Sequence, residues 1–220
     1  STQPGLPIPQ LVLTEEERQF VATQPVLQVS NESNWPPLDF TQAGQPSGYS
    51  VDIIKLIAQI TGLRIGFTNG YSWPELVKLY KDGEIDLLHS VILTEDNRSL
   101  GLPGKSYLQL PFAVATGESS SPVTDLSQLN TKRLAIPAGW SIIPIVRARY
   151  PLIEIIETES TLKALELVLA GEATAAIDNE VILRYIARSY FLTGLQFHSN
   201  VSFGEGDLPD KLHIVVPADN

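Results

Sequence analysis

The stretch Ser72–Ser90, SWPELVKLYKDGEIDLLHS, has a counterpart later in the chain at Ser160–Asp178, STLKALELVLAGEATAAID. Aligned without gaps, the two stretches share four of nineteen residues, including the opening serine and a Gly-Glu pair. Serine is a favoured helix N-cap, glycine ends helices in the left-handed conformation, and a short apolar run after it is typical of a buried strand. Each stretch therefore predicts a helix, a turn and a strand.

The similarity extends to the segments before both stretches. LIAQITGLRIGF precedes the first and IVRARYPLIEII precedes the second, and each predicts an apolar-periodic helix followed by a strand. We infer two similar halves in which strands and helices alternate, a pattern that predicts parallel sheets. A chain of 220 residues is long enough for two domains of about 100 residues each.

Composition changes mark the expected domain boundaries. The proline-rich residues 1–13 are predicted to be a tail, and the segment 31–40, NESNWPPLDF, to be a loop. The clearest break is the Ser/Pro-rich connection GESSSPVTDLSQLNTK. We place the passage between the halves just before it, which predicts a first lobe of residues 14–112 with a return segment 211–220. The second lobe is then 113–210.

The overall composition excludes several classes of protein. A net charge of −10 without any basic run argues against nucleic-acid binding. The absence of cysteine excludes disulfides and thiolate chemistry, and it agrees slightly better with an exported protein. The sequence has no apolar run long enough for a transmembrane helix.

Signals for catalysis are weak. The histidines His89, His198 and His213 show no metal-ligand spacing, and no nucleotide-binding or nucleophile motif occurs. We therefore expect no metal, no cofactor and no enzymatic activity. Carboxylates could still pair across a cleft as in glycosidases, although solvated surface carboxylates are the simpler expectation in an acidic chain. The carboxylates concerned are Glu32, Asp39, Asp178 and Glu180.

Ligands of open parallel sheets bind beyond the carboxyl ends of the strands, and two such sheets facing each other would form a cleft. The candidate residues therefore lie at the strand-to-helix junctions, which are 31–35, 90–98, 139–141 and 178–180. In TEDNR, the Thr94 hydroxyl and the Arg98 guanidinium fall within one helical turn, a combination that suits a carboxylate. A capped surface helix with a solvated arginine is the alternative.

The turn AGWS is the second candidate site. Gly139 permits a close backbone approach and Ser141 begins a helix, although an ordinary strand-to-helix turn would look the same. Trp35 and Trp140 stand on predicted cleft loops, where an aromatic face could cover an apolar or cationic part of a ligand. For Trp73, at a helix start, we expect packing in the core.

Five segments, in chain order, give the sequence a family resemblance. They are VSNESNWPPLDF, GYSVDIIKLIAQITGL, DGEIDLLHSVILTEDNR, RLAIPAGWS and AGEATAAIDNEVI. Together they resemble the family 3 bacterial solute-binding proteins. The lead-in LTEEERQFVATQPVLQVSNESNWPP further resembles Venus-flytrap sensor domains of membrane-bound histidine kinases.

The resemblance implies an α/β fold of the periplasmic binding protein-like II type, with two lobes, each a mostly parallel sheet flanked by helices. It implies that Arg98 binds a ligand carboxylate, that the turn 139–141 offers a helix-start site, and that Trp35 forms an aromatic wall. Ser90 corresponds to the polar group at the end of the first-lobe strand. Gly139 and Ser141 carry the amide and hydroxyl of that helix-start site. Thr94 and Trp140 are candidates because of their positions at a helix start and on a cleft loop.

The chain departs from the family pattern at several positions. Amino acid binders of the family place an acidic residue against the ligand ammonium where this chain has Asn179, so Asp178 or Glu180 would have to substitute. Ile92 and Leu93 stand where the family often has a serine or threonine. The family also continues into a further helix beyond the position of Asn220, so we expect a domain taken from a longer protein.

The resemblance predicts a periplasmic sensor domain that binds an amino acid or small carboxylate and passes lobe closure to membrane-spanning and cytoplasmic domains of the same polypeptide. A homodimer could form through the full-length receptor. One alternative is a free solute-binding protein of an amino-acid ABC importer. Another is an enzyme, or a non-catalytic module of a cell-wall lytic enzyme.

Overall fold

A computed structural model describes residues 8–219, and the chain forms two compact units. Within the described residues, unit 1 comprises 8–91, Arg98–Ser106 and 213–219, and unit 2 comprises Ile92–Asn97 and Tyr107–Leu212. The predicted lobes differ from these units mainly at the segments 92–97 and 107–112. Most of the predicted tail, residues 1–7, lies outside the described residues, and residues 8–13 form no helix or strand.

Unit 1 contains three α-helices and the first seven strands, except that the last residue of β6 belongs to unit 2. Its helices are α1 (Glu15–Thr23), α2 (Tyr49–Thr61) and α3 (Trp73–Lys81). Its strands are β1 (Leu27–Ser30), β2 (Asn34–Trp35), β3 (Asp39–Gln42), β4 (Gln45–Ser47), β5 (Ile65–Thr68), β6 (Leu88–Ile92) and β7 (Leu102–Pro103). A 3-10 helix spans Glu95–Leu100.

Unit 2 repeats the alternation of strands and helices. Its strands are β8 (Leu108–Gln109), β9 (Phe112–Gly117), β10 (Arg133–Pro137), β11 (Glu154–Thr158), β12 (Ala175–Asn179) and β13 (Leu195–His198). Its helices are α4 (Ile142–Arg149), α5 (Thr161–Leu169) and α6 (Glu180–Ser189). The last strand, β14 (Lys211–Val216), begins in unit 2 and ends in unit 1.

The sheets combine parallel and antiparallel pairs. In unit 1, β1 pairs with β5 in parallel, and Val29 forms a parallel bridge with Leu87 just before β6. In unit 2 the strand order is β11-β10-β12-β9-β13, and β10 runs parallel to both β11 and β12. The strand β9 is antiparallel to its neighbours β12 and β13. The parallel strands end at the edges where the candidate residues lie.

The internal repeat is confirmed at the level of local structure. Ser72 caps α3 by accepting a hydrogen bond from the Glu75 backbone N–H, and Ser160 caps α5 in the same way. Gly83 and Gly171 follow the two helices with φ of 80° and 73°, in the left-handed region that glycine tolerates best. The strands that follow carry Ser90 at the middle of β6 and Asp178 next to the end of β12.

The unit 2 sheet separates two apolar clusters. One cluster includes Leu126, Leu134 and Ile142, and the other includes Leu165, Ala176 and Leu183. Ala135 and Ile136, adjacent on β10, belong to opposite clusters because successive side chains of a strand point to opposite faces. This burial on both faces explains why the parallel strands read as continuous apolar runs.

One prediction of irregular structure is wrong. The segment 31–40, predicted as a loop, contains β2 and the start of β3, which form a three-stranded antiparallel sheet with β4. The Ser/Pro-rich connection contains a 3-10 helix, Leu126–Leu129, whose two leucines are buried. That connection lies within unit 2, so its composition reflects turns within the unit. Among residues 8–219, no helix is both long and apolar enough to cross a bilayer.

Candidate functional site

Unit 1 holds a buried polar network around Ser90. The Ser90 hydroxyl donates to Ser50 Oγ over 2.7 Å, and both hydroxyls contact His89 Nδ1, at 3.1 and 2.9 Å. The His89 backbone N–H donates to Ser30 Oγ. Ser90 is 7% exposed and has a φ of 59°, an uncommon conformation for a residue with a Cβ. Such backbone outliers cluster at functional sites, which favours the predicted role of Ser90.

Asp39 connects this network to the loop after β1. Its Oδ1 accepts hydrogen bonds from Asn31 Nδ2 at 2.8 Å and from the Glu32 backbone N–H at 3.2 Å. Its Oδ2 lies 3.5 Å from His89 Nε2, and both side chains are fully buried. The network thus joins β1, β3, β6 and the first turn of α2.

Burial displaces the pKa of each titratable group in this network. It raises the pKa of Glu32 to about 8, with a further contribution from the negative charge of Asp39. It also raises the pKa of Asp39, although the nearby His89 and the hydrogen bond from Asn31 act in the opposite direction. The pKa of His89 is lowered because the buried imidazole loses hydration that would stabilise its charge.

Trp35 lies in β2, directly opposite Asp39 in the strand register. The residue is partly buried, and its indole Nε1 has no hydrogen-bond partner among the described residues. Buried indole N–H groups usually find an acceptor. The Nε1 atom is itself buried, so what Trp35 offers for an aromatic contact is the exposed part of its ring.

The predicted pair Thr94 and Arg98 falls on the boundary between the units, with Thr94 in unit 2 and Arg98 in unit 1. The Thr94 backbone N–H donates to Asn97 Oδ1 over 2.7 Å, and the Asn97 side chain donates to the carbonyl of Ile92. Arg98 is exposed on the 3-10 helix. The Asn97 side chain thus links the Thr94 backbone N–H to the Ile92 carbonyl at the start of the 3-10 helix.

In unit 2, Asp178 is the centre of a second buried network. Its Oδ1 accepts from Trp140 Nε1 and from the Asn179 backbone N–H, both at 2.7 Å. Its Oδ2 accepts from Thr161 Oγ1 at 2.5 Å. Burial raises the pKa of Asp178 to about 6, while these three donors act in the opposite direction. Asp178 is fully buried, so its carboxylate holds Trp140 and the start of α5 in place.

The turn between β10 and α4 carries the other predicted residues of unit 2. Gly139 is exposed with a φ of 80°, and a Cβ there would meet no atom within 4 Å. Trp140 and Ser141 are partly exposed, and Ser141 precedes α4 without a side-chain capping hydrogen bond. The exposed face of this turn is available for contact, while the indole N–H of Trp140 already binds Asp178.

Asn179 and Glu180 are engaged within unit 2. The Asn179 side chain, 2% exposed, donates to the Leu110 carbonyl over 2.7 Å. The Glu180 carboxylate accepts from Ser199 and lies 3.8 Å from the Arg184 guanidinium. The structure thus directs each of the three polar side chains at 178–180 to a partner of its own unit.

Sequence reasoning missed the supporting residues Ser50, Asp39, His89 and Thr161 as members of these networks. The Asp178–Thr161 and Ser90–Ser50 partners lie 17 and 40 residues apart in the chain, whereas Ser90 and His89 are adjacent. The available signal was the presence of polar residues within apolar runs, such as His89 and Ser90 after Leu87-Leu88. Among residues 8–219, no three His, Asp or Glu side chains are grouped to hold a metal ion.

The two units, each an α/β body with helices against a sheet, define the class of the protein as a Venus-flytrap domain of the periplasmic binding protein type. The predicted fold class is confirmed. The family model of the bacterial extracellular solute-binding proteins, family 3, matches residues 27–193. The chain belongs to this family.

Curated relatives of the chain include sensor proteins. The virulence sensor protein BvgS of Bordetella bronchiseptica is 23% identical over 184 residues, which is 83% of this chain and 15% of that protein. The sensor protein EvgS of Escherichia coli (strain K12) is 25% identical over 183 residues, 82% of this chain and 15% of that protein. The chain therefore spans less than a fifth of the length of these relatives.

Solved structures show the same fold. The periplasmic VFT2 domain of Bordetella pertussis BvgS superposes with a TM-score of 0.74 and 21% identity, covering 93% of this chain and 86% of that one. An ancestral arginine-binding protein bound to arginine gives a TM-score of 0.66 and 18% identity, covering 90% and 86% of the two chains. The fold is thus shared by sensor domains and by solute-binding proteins.

Proposed function

We propose that this chain is the periplasmic, ligand-sensing domain of a membrane-spanning signalling receptor, specifically a sensor histidine kinase. One observation carries the proposal. More than four fifths of the chain matches curated sensor proteins, and the matched part is 15% of the length of each of those proteins. Such a proportion is that of one domain in a long polypeptide. The partners of the domain are then the membrane-spanning and cytoplasmic parts of its own receptor, which can dimerise through those parts.

The ligand in this proposal is a small polar molecule, such as an amino acid or a small carboxylate, held between the two units. Arg98 provides a guanidinium for a carboxylate, and the turn 139–141 provides backbone N–H groups at the start of α4. Trp35 and Trp140 provide partly exposed aromatic faces, and Ser90 a hydroxyl at the end of the first repeat. Thr94, Asp178 and Asn179 complete the proposed site, the last two as its structural support in unit 2.

Binding by both units is what makes such a domain a switch. A ligand shifts an equilibrium between open and closed forms only through its difference in affinity for the two forms. To move the populations from 1:99 to 99:1 takes about 5.5 kcal/mol of that difference. Contacts with one unit exist in both forms and contribute nothing to the difference. Contacts from Arg98 on one unit and the 139–141 turn on the other supply it, since the second set forms only on closure.

A thermal-shift screen of amino acids and small carboxylates tests the binding proposal. We expect at least one compound to raise the melting temperature of the wild type, and Arg98→Ala to abolish that rise. Arg133→Ala is a matched control, because Arg133 is an exposed arginine at the opposite end of β10 from the 139–141 turn. An equal rise in the Arg98→Ala variant would remove Arg98 from the site and contradict the proposed geometry.

A free solute-binding protein of an ABC importer is the second candidate, favoured by the structural likeness to an arginine-binding protein. It would use the same fold and the same residues, and in neither case do we expect catalysis. The coding sequence beyond residue 220 separates the two candidates. A transmembrane helix followed by a kinase domain would support the sensor, and a terminal helix followed by a stop codon would support the importer.

A further inference from the structure

Two of the segments through which the chain passes between the units are bound to each other. We call residues 107–111 and 210–212 the crossing segments, because the chain enters unit 2 at the first and leaves it after the second. The Leu110 backbone N–H donates to the Asp210 carbonyl over 2.6 Å, and the Gln109 side chain donates to the Asp210 carboxylate over 3.1 Å. A displacement of one crossing segment therefore displaces the other.

Asn179, the last residue of β12, holds the first crossing segment through its side chain. Its Nδ2 donates to the Leu110 carbonyl over 2.7 Å, and the backbone N–H of the next residue, Glu180, donates to the Pro111 carbonyl over 2.8 Å. Asn179 is 2% exposed and Leu110 is 4% exposed. Loss of the Asn179 donor would leave the Leu110 carbonyl buried without a partner, which is costly because no water replaces the donor.

The same asparagine is bound to the 139–141 turn through Asp178. The Oδ1 atom of Asp178 accepts from the Trp140 indole N–H and from the Asn179 backbone N–H, both at 2.7 Å. Two donors that share one oxygen of a buried carboxylate are coupled, since the position of one affects the hydrogen bond of the other. Direct hydrogen bonds within unit 2 thus run without interruption from the turn, through Asp178 and Asn179, to the crossing segments.

We propose that Asn179 is a positioning residue that couples the Trp140 turn to the crossing segments, so that a ligand in contact with Trp140 alters the segments that join the units. An amide suits this role because its N–H donates to the Leu110 carbonyl. An ionised carboxylate at position 179 would have no proton to donate there. The inference rests on the proposed function only in placing Trp140 at the ligand.

Hydrogen exchange followed by NMR, on the domain without any ligand, tests this coupling. The measured quantity is the exchange rate of the Leu110 amide, which is hydrogen-bonded to Asp210. Trp140→Phe removes the indole N–H and keeps an aromatic ring. We expect it to raise the Leu110 rate about twofold or more, which is the lower end of the coupling found within one hydrogen-bond network. The Glu154 amide, which donates to the Lys132 carbonyl elsewhere in unit 2, should keep its wild-type rate.

Asn179→Ala shows whether the effect passes through Asn179. This variant alone should raise the Leu110 rate about fivefold, the size expected for the loss of one hydrogen bond. Adding Trp140→Phe to it should then cause no further rise, whereas two independent structural effects would multiply. The control is Asp125→Ala, which removes the side-chain cap of the 3-10 helix in unit 2 and should leave the ratio of the Leu110 and Glu154 rates unchanged.

An unchanged Leu110 rate in Trp140→Phe, or effects that multiply in the double variant, would overturn the proposal. If Asn179→Ala fails to fold, Trp140→Phe decides alone. A rise at Leu110 without a rise at Glu154 then supports the coupling, and equal rises at both amides refute it. Because no ligand is used, failure here is distinguishable from failure of the sensor proposal, which the thermal-shift screen tests.

Discussion

Replacing Asp178 by asparagine removes a buried negative charge while leaving a side chain of nearly the same shape. The side-chain oxygen that remains in Asp178→Asn can still accept from Trp140 Nε1 and the Asn179 backbone N–H, and the new amide can donate to the Thr161 hydroxyl. The variant should therefore keep the arrangement of the 139–141 turn. What it loses is the ability to titrate.

The size of the effect on the free energy of unfolding follows from the pKa of Asp178, which burial raises from 3.8 to about 6. A shift of this size corresponds to about 3 kcal/mol, at about 1.4 kcal/mol per pH unit. A raised pKa means that the folded state binds the proton more tightly than the unfolded state. The contribution to stability is therefore complete below pH 3.8 and is lost as the pH rises through 6.

Urea unfolding of the wild type and of Asp178→Asn between pH 4 and pH 7 measures this contribution. The free energy of unfolding of the wild type, relative to the variant, should fall by about 2.4 kcal/mol over this range, which is most of the full effect. The difference between wild type and variant cancels the titration of all other groups. The control is Asp52→Asn, which changes an exposed aspartate of α2 and should give no such pH-dependent difference. A difference that is constant with pH would refute the view that the buried Asp178 titrates in the folded protein.

Three further sets of substitutions test the fold. Ser72→Ala and Ser160→Ala remove equivalent N-caps and should each lower the free energy of unfolding by about 1 kcal/mol in urea titrations, and unequal effects of several-fold would contradict the repeat. Gly48→Ala should lower the melting temperature far more than Gly44→Ala. A Cβ at Gly48 would overlap the Leu38 carbonyl oxygen, whereas a Cβ at Gly44 would meet nothing within 4 Å. Equal melting temperatures of the two variants would contradict the close approach at Gly48. Leu126→Ala should lower the free energy of unfolding by about 2 to 5 kcal/mol in the same urea titration. A loss below about 1 kcal/mol would show that the 3-10 helix is not part of the unit 2 core.

The repeat could be predicted from sequence because its determinants are local. Ser72 and Ser160 cap helices through residues three positions away, and Gly83 and Gly171 adopt the left-handed conformation that ends them. The apolar runs that follow form buried strands because both faces of those strands are covered. The helices, turns and strands of each half therefore follow from short-range rules.

The small sheet β2-β3-β4 could not be predicted in the same way. Its strands are two to four residues long and contain Trp35, Asp39 and Pro46, and its pairing gives no alternating apolar pattern. Asp39 is buried in it because Asn31 donates to its carboxylate and His89 faces it, and His89 is 50 residues away in sequence. Polar burial of this kind depends on tertiary contacts that a single sequence does not display.

For the proposed site, the sequence located the junctions but not the direction of the side chains. Asp178 and Asn179 were predicted to contact the ligand, and they lie at the end of β12, but both are buried and hydrogen-bonded within unit 2. Trp140 and Ser141 are partly exposed at the neighbouring turn. Both are buried because the two faces of the unit 2 sheet are covered, and at the end of β12 each side chain finds a partner in a neighbouring segment.

The central claim, that one small molecule is held by both units, is tested most directly by native mass spectrometry of the domain purified from the periplasm. The measurement is the mass and occupancy of any bound molecule in the wild type, in Arg98→Ala and in Trp140→Ala. The account predicts a bound amino acid or small carboxylate in the wild type and its loss from both variants. Retention of the same molecule at the same occupancy in either variant would contradict it.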